Sequence, residues 1–120
     1  MYRLRTQTDF DAAHHLEDYE GKCARLHGHL WVVEVFVLGK ELDKAGILVD
    51  FGVIKTALNE ITDGRLDHRN LNDIKEIGNP TCENVARYIF SSLKPSIPKE
   101  VSLEKVRVWE TPRSWGEYFE

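Results

Sequence analysis

The stretch Cys23-Ala24-Arg25-Leu26-His27-Gly28-His29 holds one of the chain's two cysteines and two of its five histidines. His14 and His15 stand just upstream, and His68 is the fifth. Thiols and imidazoles bind zinc and move protons near neutral pH. Their concentration in so short a stretch points to a metal site with acid–base chemistry beside it.

The run after His29, from Leu30 through Trp31-Val32-Val33-Glu34-Val35-Phe36-Val37 to Leu38, is rich in β-branched and aromatic residues and predicts a strand from His27 to Leu38. Residues two apart on a strand share a face, so His27 and His29 would project side by side, with Gly28 adding no bulk to the other face. That is half of a tetrahedral zinc site. Tyr2 to His15, read with period two, places Tyr2, Leu4, Thr6, Thr8, Phe10, Ala12 and His14 on an apolar inward face and His15 on the other. The third ligand in phase is His14, although a bulge would exchange it for His15. Three histidines with an open fourth position describe a catalytic zinc rather than a structural one.

Cys23, between Lys22 and Arg25, has two readings. An electropositive surrounding would lower its pKa and make it a proton carrier or nucleophile; as a fourth ligand it would instead make the zinc structural. Cys82, inside the first turn of a predicted helix with no histidine near it in sequence, reads as packing. Asp67 and His68 lie in a polar connection, Arg65 to Asp73, as a general base with a carboxylate to orient it or as a solvated loop pair. Glu110 falls in phase with Val106 and Val108 on an apolar side, where a carboxylate is costly unless paired. A heterocycle edge with two adjacent N–H donors would pair with it bidentately, and so would a salt bridge or water at a strand end.

Caps and periodicity along the rest of the chain supply the scaffold. Asp50 is a good N-cap for a helix through Phe51, Ile54, Ala57, Leu58 and Ile61, with Asp63-Gly64 as its stop. Thr81 caps a second helix carrying Val85, Tyr88, Ile89 and Leu93 on one face, ended by Lys94-Pro95. Val101 to Glu110 and Trp115 to Phe119 read as strands joined around Pro112-Arg113. The order ββααββ predicts an α+β fold, a four-stranded antiparallel sheet with two helices on one face, in a single domain over 1–120.

Of the 120 residues, 42% are hydrophobic and 30% charged, with a formal charge of −4, so the chain has no basic footprint for direct nucleic-acid binding. No apolar run approaches a membrane span, the N-terminal residues alternate like a strand rather than a signal peptide, and two cysteines suit free thiols in a reducing cytoplasm. A chain this size does not comfortably enclose a deep pocket, which favours a site shared between subunits. No glycine-rich loop marks a phosphate site; Lys22, Arg25 and Arg113 are the available cations.

The runs Phe10-Asp11-Ala12-Ala13-His14, Gly21 to His29, Val49-Asp50-Phe51, Leu66-Asp67-His68-Arg69-Asn70-Leu71-Asn72, Asn79-Pro80-Thr81 and Val108-Trp109-Glu110-Thr111 resemble, in order and over almost the whole chain, the 6-pyruvoyl-tetrahydropterin synthase family. The three-residue gap between Cys23 and His27 resembles its bacterial branch, the 6-carboxy-5,6,7,8-tetrahydropterin synthases of queuosine biosynthesis. The resemblance implies a tunnelling fold (T-fold), a homo-oligomer, commonly a hexamer, with active sites at subunit interfaces, and zinc on His14, His27 and His29. It implies proton-transfer roles for Cys23, Asp67 and His68, and pterin anchoring by Glu110. The substrate implied is 7,8-dihydroneopterin triphosphate, the enzyme a cytoplasmic lyase.

Overall fold

Residues 1–120 are described by a computed structural model. The alternating N-terminal pattern forms strand β1 (Tyr2–His14), and the β-branched run after the His-Gly-His forms β2 (His27–Gly39). They pair antiparallel along their whole length, from Tyr2 opposite Gly39 to His14 opposite His27, with no bulge in β1. The phase that puts His14 inward is therefore kept to the end of the strand.

Asp50 accepts from the Gly52 N–H at 2.7 Å and starts helix α1 (Phe51–Ile61); the Thr81 hydroxyl accepts from the Asn84 N–H at 3.1 Å and starts α2 (Cys82–Leu93). Both helices bury one apolar stripe, Ile54, Leu58 and Ile61 on α1 and Val85, Ala86, Ile89, Phe90 and Leu93 on α2. These pack against Phe10, Trp31, Val33, Val35, Val106 and Val108 of the sheet in one core. The last two long strands, β4 (Ser102–Thr111) and β5 (Ser114–Phe119), pair antiparallel next to β2.

Two expectations are corrected. The sheet has five strands, because Arg69–Asn70 forms a two-residue strand, β3, parallel to Ala12-Ala13 at the outer edge of β1; the order is β3-β1-β2-β4-β5. Two residues are too few to show a pattern. What holds them is tertiary, since the His68 N–H donates to the Asp11 carbonyl at 2.6 Å and the Asp11 N–H donates to Asp67 Oδ1 at 2.9 Å. Nor does the chain leave the helix at Asp63-Gly64. A wider π turn carries it through Thr62–Leu66, closed by the Asp67 N–H on the Thr62 carbonyl at 2.8 Å, because Leu66 is completely buried and draws the backbone over the core.

Candidate metal centre and active site

The sheet register builds the centre. His14 faces His27 across the β1–β2 ladder, and Ala12 faces His29, so three imidazoles meet at the end of the hairpin where the loop joins its strands. One ligand-capable atom from each of His14, His27 and His29 lies within 4.8 Å of the others, and His14 Nε2 is 3.1 Å from His27 Nε2. His15 does not join them. Its backbone is held by Asn72, which accepts from the His15 N–H at 2.9 Å and donates to its carbonyl at 3.0 Å.

The protons on two rings are fixed by backbone carbonyls, which can only accept. His14 Nδ1–H donates to Pro80 O at 2.8 Å, and His27 Nδ1–H donates to Arg25 O at 2.6 Å. Both Nε2 atoms are thereby left as bare lone pairs facing one another. His29 Nε2 is buried with no hydrogen-bond partner, and Glu110 Oε1 lies 3.2 Å from His14 Nε2 and 3.7 Å from His29 Nε2. Two ring lone pairs, a third ring nitrogen with no partner and a carboxylate oxygen beside them fit a cation. Zinc bound tetrahedrally by imidazoles at about 2.0–2.1 Å sets its nitrogens about 3.3–3.4 Å apart, near the 3.1 Å here. Burial pushes His14 and His29 below the usual imidazole value, which favours the neutral form that ligates.

Trp31 continues the His27, His29 alternation and is completely buried beneath them, its ring edge-on to His14 at 4.8 Å and to His29 at 5.5 Å. Its indole N–H donates to Ala12 O at 3.2 Å. The period-two pattern could have revealed this support. The carbonyls of Pro80 and Arg25 could not be found that way, since a backbone acceptor carries no residue identity.

Two open cavities flank the centre and share Gly28, His29 and Leu30. One, of about 540 Å³, is lined by Glu110, Trp109, Thr111 and Gln7 among others. The other, of about 610 Å³, contains His68, Arg69, Asn70 and Asp11. His68 Nδ1–H donates to Asp67 Oδ2 at 2.8 Å, on a backbone with φ of 57°. The Asp11 N–H and then the His68 contact hold the Asp67 carboxyl below its ordinary value, and the Asp67 hydrogen bond raises the His68 imidazole. Cys23 occupies a single 3₁₀ turn, Lys22–Ala24, half-buried, its sulfur making no hydrogen bond and standing outside the three-imidazole group. The sulfur of Cys82 donates to the Val108 carbonyl at 3.0 Å, and burial pushes that thiol up to about 11, so it packs rather than reacts. Lys22, Arg25 and Arg113 are exposed, and none lines either cavity.

The sequence model of the family described as 6-pyruvoyl tetrahydropterin synthase matches residues 3–120. The chain is 37% identical over 124 residues to a 6-carboxy-5,6,7,8-tetrahydropterin synthase of Synechocystis sp., covering 99% of this chain and 94% of that one. Over 110 residues it is also 37% identical to a dihydroneopterin monophosphate aldolase of Pyrococcus furiosus, covering 90% and 89%. Among solved structures, the 6-pyruvoyl tetrahydropterin synthase of Caenorhabditis elegans superposes with a TM-score of 0.87 at 30% identity, over 99% of this chain and 95% of that one.

Proposed function

The chain belongs to the 6-pyruvoyl tetrahydropterin synthase family and has its T-fold, and on that basis we propose a zinc-dependent lyase. It converts 7,8-dihydroneopterin triphosphate and water to 6-carboxy-5,6,7,8-tetrahydropterin, acetaldehyde and triphosphate, in queuosine or related 7-deazapurine biosynthesis. The carrying observation is the convergence of three imidazoles and the Glu110 carboxylate on one point between two cavities. The name of the Synechocystis relative supports the choice of product.

Zinc held by His14, His27 and His29 would supply Lewis acidity toward the hydroxyls of the substrate side chain. The Pro80 and Arg25 carbonyls keep His14 and His27 in the tautomer that offers Nε2. Glu110 accepts the two adjacent N–H groups of the pterin edge and fixes the ring. His68, with its Nδ1–H committed to Asp67, uses Nε2 to take a carbon-bound proton of the side chain. Cys23 exchanges a proton with the substrate on the other side of the transfer. Moving that proton and its electron pair from side-chain carbon to ring oxidises a hydroxyl carbon and reduces a ring C=N, so no external electron carrier is needed.

Within one chain Cys23 stands outside the imidazole group, and His68 is exposed. We therefore place the complete site between subunits of a homo-oligomer, with a hexamer as the assembly, built from one domain spanning 1–120. No helix is long and apolar enough to cross a membrane. A cytoplasmic setting suits the two free thiols, and the net charge of −4 argues against direct nucleic-acid contact.

The Pyrococcus relative supports a second reading, in which the same centre cuts the side chain of a dihydroneopterin phosphate by a retro-aldol step with no redox change in the ring. Anaerobic incubation of the zinc-loaded protein with dihydroneopterin mono- and triphosphate separates them, with products identified by mass spectrometry and acetaldehyde assayed alongside. A carboxy-tetrahydropterin with acetaldehyde is expected. A dihydropterin with a shortened side chain would favour the aldolase, a product keeping all three side-chain carbons would make the chain a pyruvoyl-forming enzyme, and no turnover would overturn the catalytic reading.

A further inference from the structure

Glu34 is out of phase with Trp31, Val33 and Val35, on the sheet face without helices, yet it is only 5% exposed. A buried carboxylate is costly unless its oxygens are paired. Here Oε1 accepts the Trp109 indole N–H at 2.5 Å, Oε2 accepts from Arg5 Nε, and Arg107 Nη1 stands 3.9 Å away. The Arg107 guanidinium in turn lies over the Trp115 ring at 4.0 Å and pairs with Glu117 at 2.9 Å. One network thus ties β1, β2, β4 and β5 together around the Glu34 carboxylate, to which the Trp109 indole is bonded directly.

That indole adjoins Glu110. Trp109 is the last β4 residue paired with β2, opposite Val32, and it also pairs with Trp115 of β5. On the β5 side, pairing resumes only at Thr111 opposite Ser114, which leaves Glu110 as a bulge residue outside both ladders. A bulge re-aims a side chain but lacks the ladder bonds that would hold it. The fixed points nearest to the Glu110 carboxylate along the chain are therefore Trp109 and Thr111, and of these Trp109 has its side chain held in turn, by Glu34. Glu110, Trp109 and Glu34 line the 540 Å³ cavity together with His29.

We propose that Glu34 and Trp109 are positioning residues that hold the Glu110 carboxylate at the centre, so that Glu34 governs the grip on the pterin ring without touching it. The inference rests on the reading of Glu110 as the pterin anchor. Equilibrium binding of neopterin, an oxidised pterin, to zinc-loaded protein tests it, together with a crystal structure of Trp109→Phe. Trp109→Phe and Glu34→Leu are expected to weaken neopterin about tenfold, the scale of a lost supporting hydrogen bond at a site, with zinc content unchanged. Glu34→Gln, which keeps an acceptor for the indole, should restore most of the affinity. In a Glu110→Gln background the same changes should cost nothing further, because they act through that carboxylate. Trp109→Phe keeps an aromatic ring and leaves Glu34 with Arg5, so it decides the matter if Glu34→Leu does not fold. Wild-type affinity in Trp109→Phe with Glu110 undisplaced, or equal losses with and without Glu110, would overturn the proposal. A displaced Glu110 in a protein whose wild type binds no neopterin would instead keep the positioning role and remove the pterin reading.

Discussion

At the scale of single residues, what matters is which atom carries the proton. Two histidines spend Nδ1–H on backbone carbonyls and so present lone pairs, while His68 spends Nδ1–H on Asp67 and so presents Nε2 to a cavity. His27→Ala is expected to abolish stoichiometric zinc binding, checked by metal analysis of the purified protein. His68→Ala should keep its zinc and lose about 10²–10⁴-fold in turnover, the contribution of a general acid–base group. Since the Asp67 hydrogen bond raises the His68 imidazole, and a base must be neutral to accept, activity should rise with pH through that raised value. Asp67→Asn removes the cause, so the acid limb of the pH–rate profile should move to lower pH. A limb that stays in place would assign it to another group. The thiols also separate: with Cys82 pushed up to about 11 and bonded to Val108, a thiol reagent at neutral pH should modify Cys23 first, and Cys23→Ala should react slowly.

At the scale of elements, the centre hangs on the ends of a hairpin and a helix. The β1–β2 ladder delivers the three rings, and the start of α2 delivers the Pro80 carbonyl that orients His14. Thr81 caps that helix one residue later. Thr81→Ala should lower stability by about 1 kcal/mol in urea unfolding, the usual value of such a cap. It should also weaken zinc in a chelator competition, because Pro80 moves with the helix start. Stability loss with unchanged zinc affinity would show that the carbonyl is held by the loop alone. That loop is well tied, since the Asn79 side chain accepts from the Glu17 N–H and donates to the Glu17 carbonyl.

At the scale of the whole molecule, the chain is long for its size. Its Cα radius of gyration is 15.2 Å, against about 13.6 Å for a compact domain of this length, and its extents are 53 × 23 × 23 Å. The long hairpin accounts for the shape and leaves apolar side chains uncovered beside the site, with Leu26 61% and Leu30 54% exposed. Covering them with a second copy would complete the site. Mixing inactive Cys23→Ala with inactive His68→Ala, after dissociation and reassembly, should then restore part of the activity, because some interfaces would receive both intact groups. No recovery from a mixed oligomer would put both residues in one subunit's site.

The long elements and the inward phase of His14, His27 and His29 were legible in the chain alone, because period-two and helical patterns are local and burial enforces them along each element. Both helix caps were legible too, since Asp50 and Thr81 act on N–H groups two and three residues away. The fifth strand, the π turn, the tautomer of His14 and the setting of Glu110 came only with the packed molecule. Each depends on a partner distant in sequence: Asp11 for Asp67 and His68, buried Leu66 over the core, the Pro80 carbonyl for His14, and Glu34 for the indole beside Glu110. Contacts made across such separations, often to backbone atoms common to every residue, leave no periodic trace in the chain that makes them.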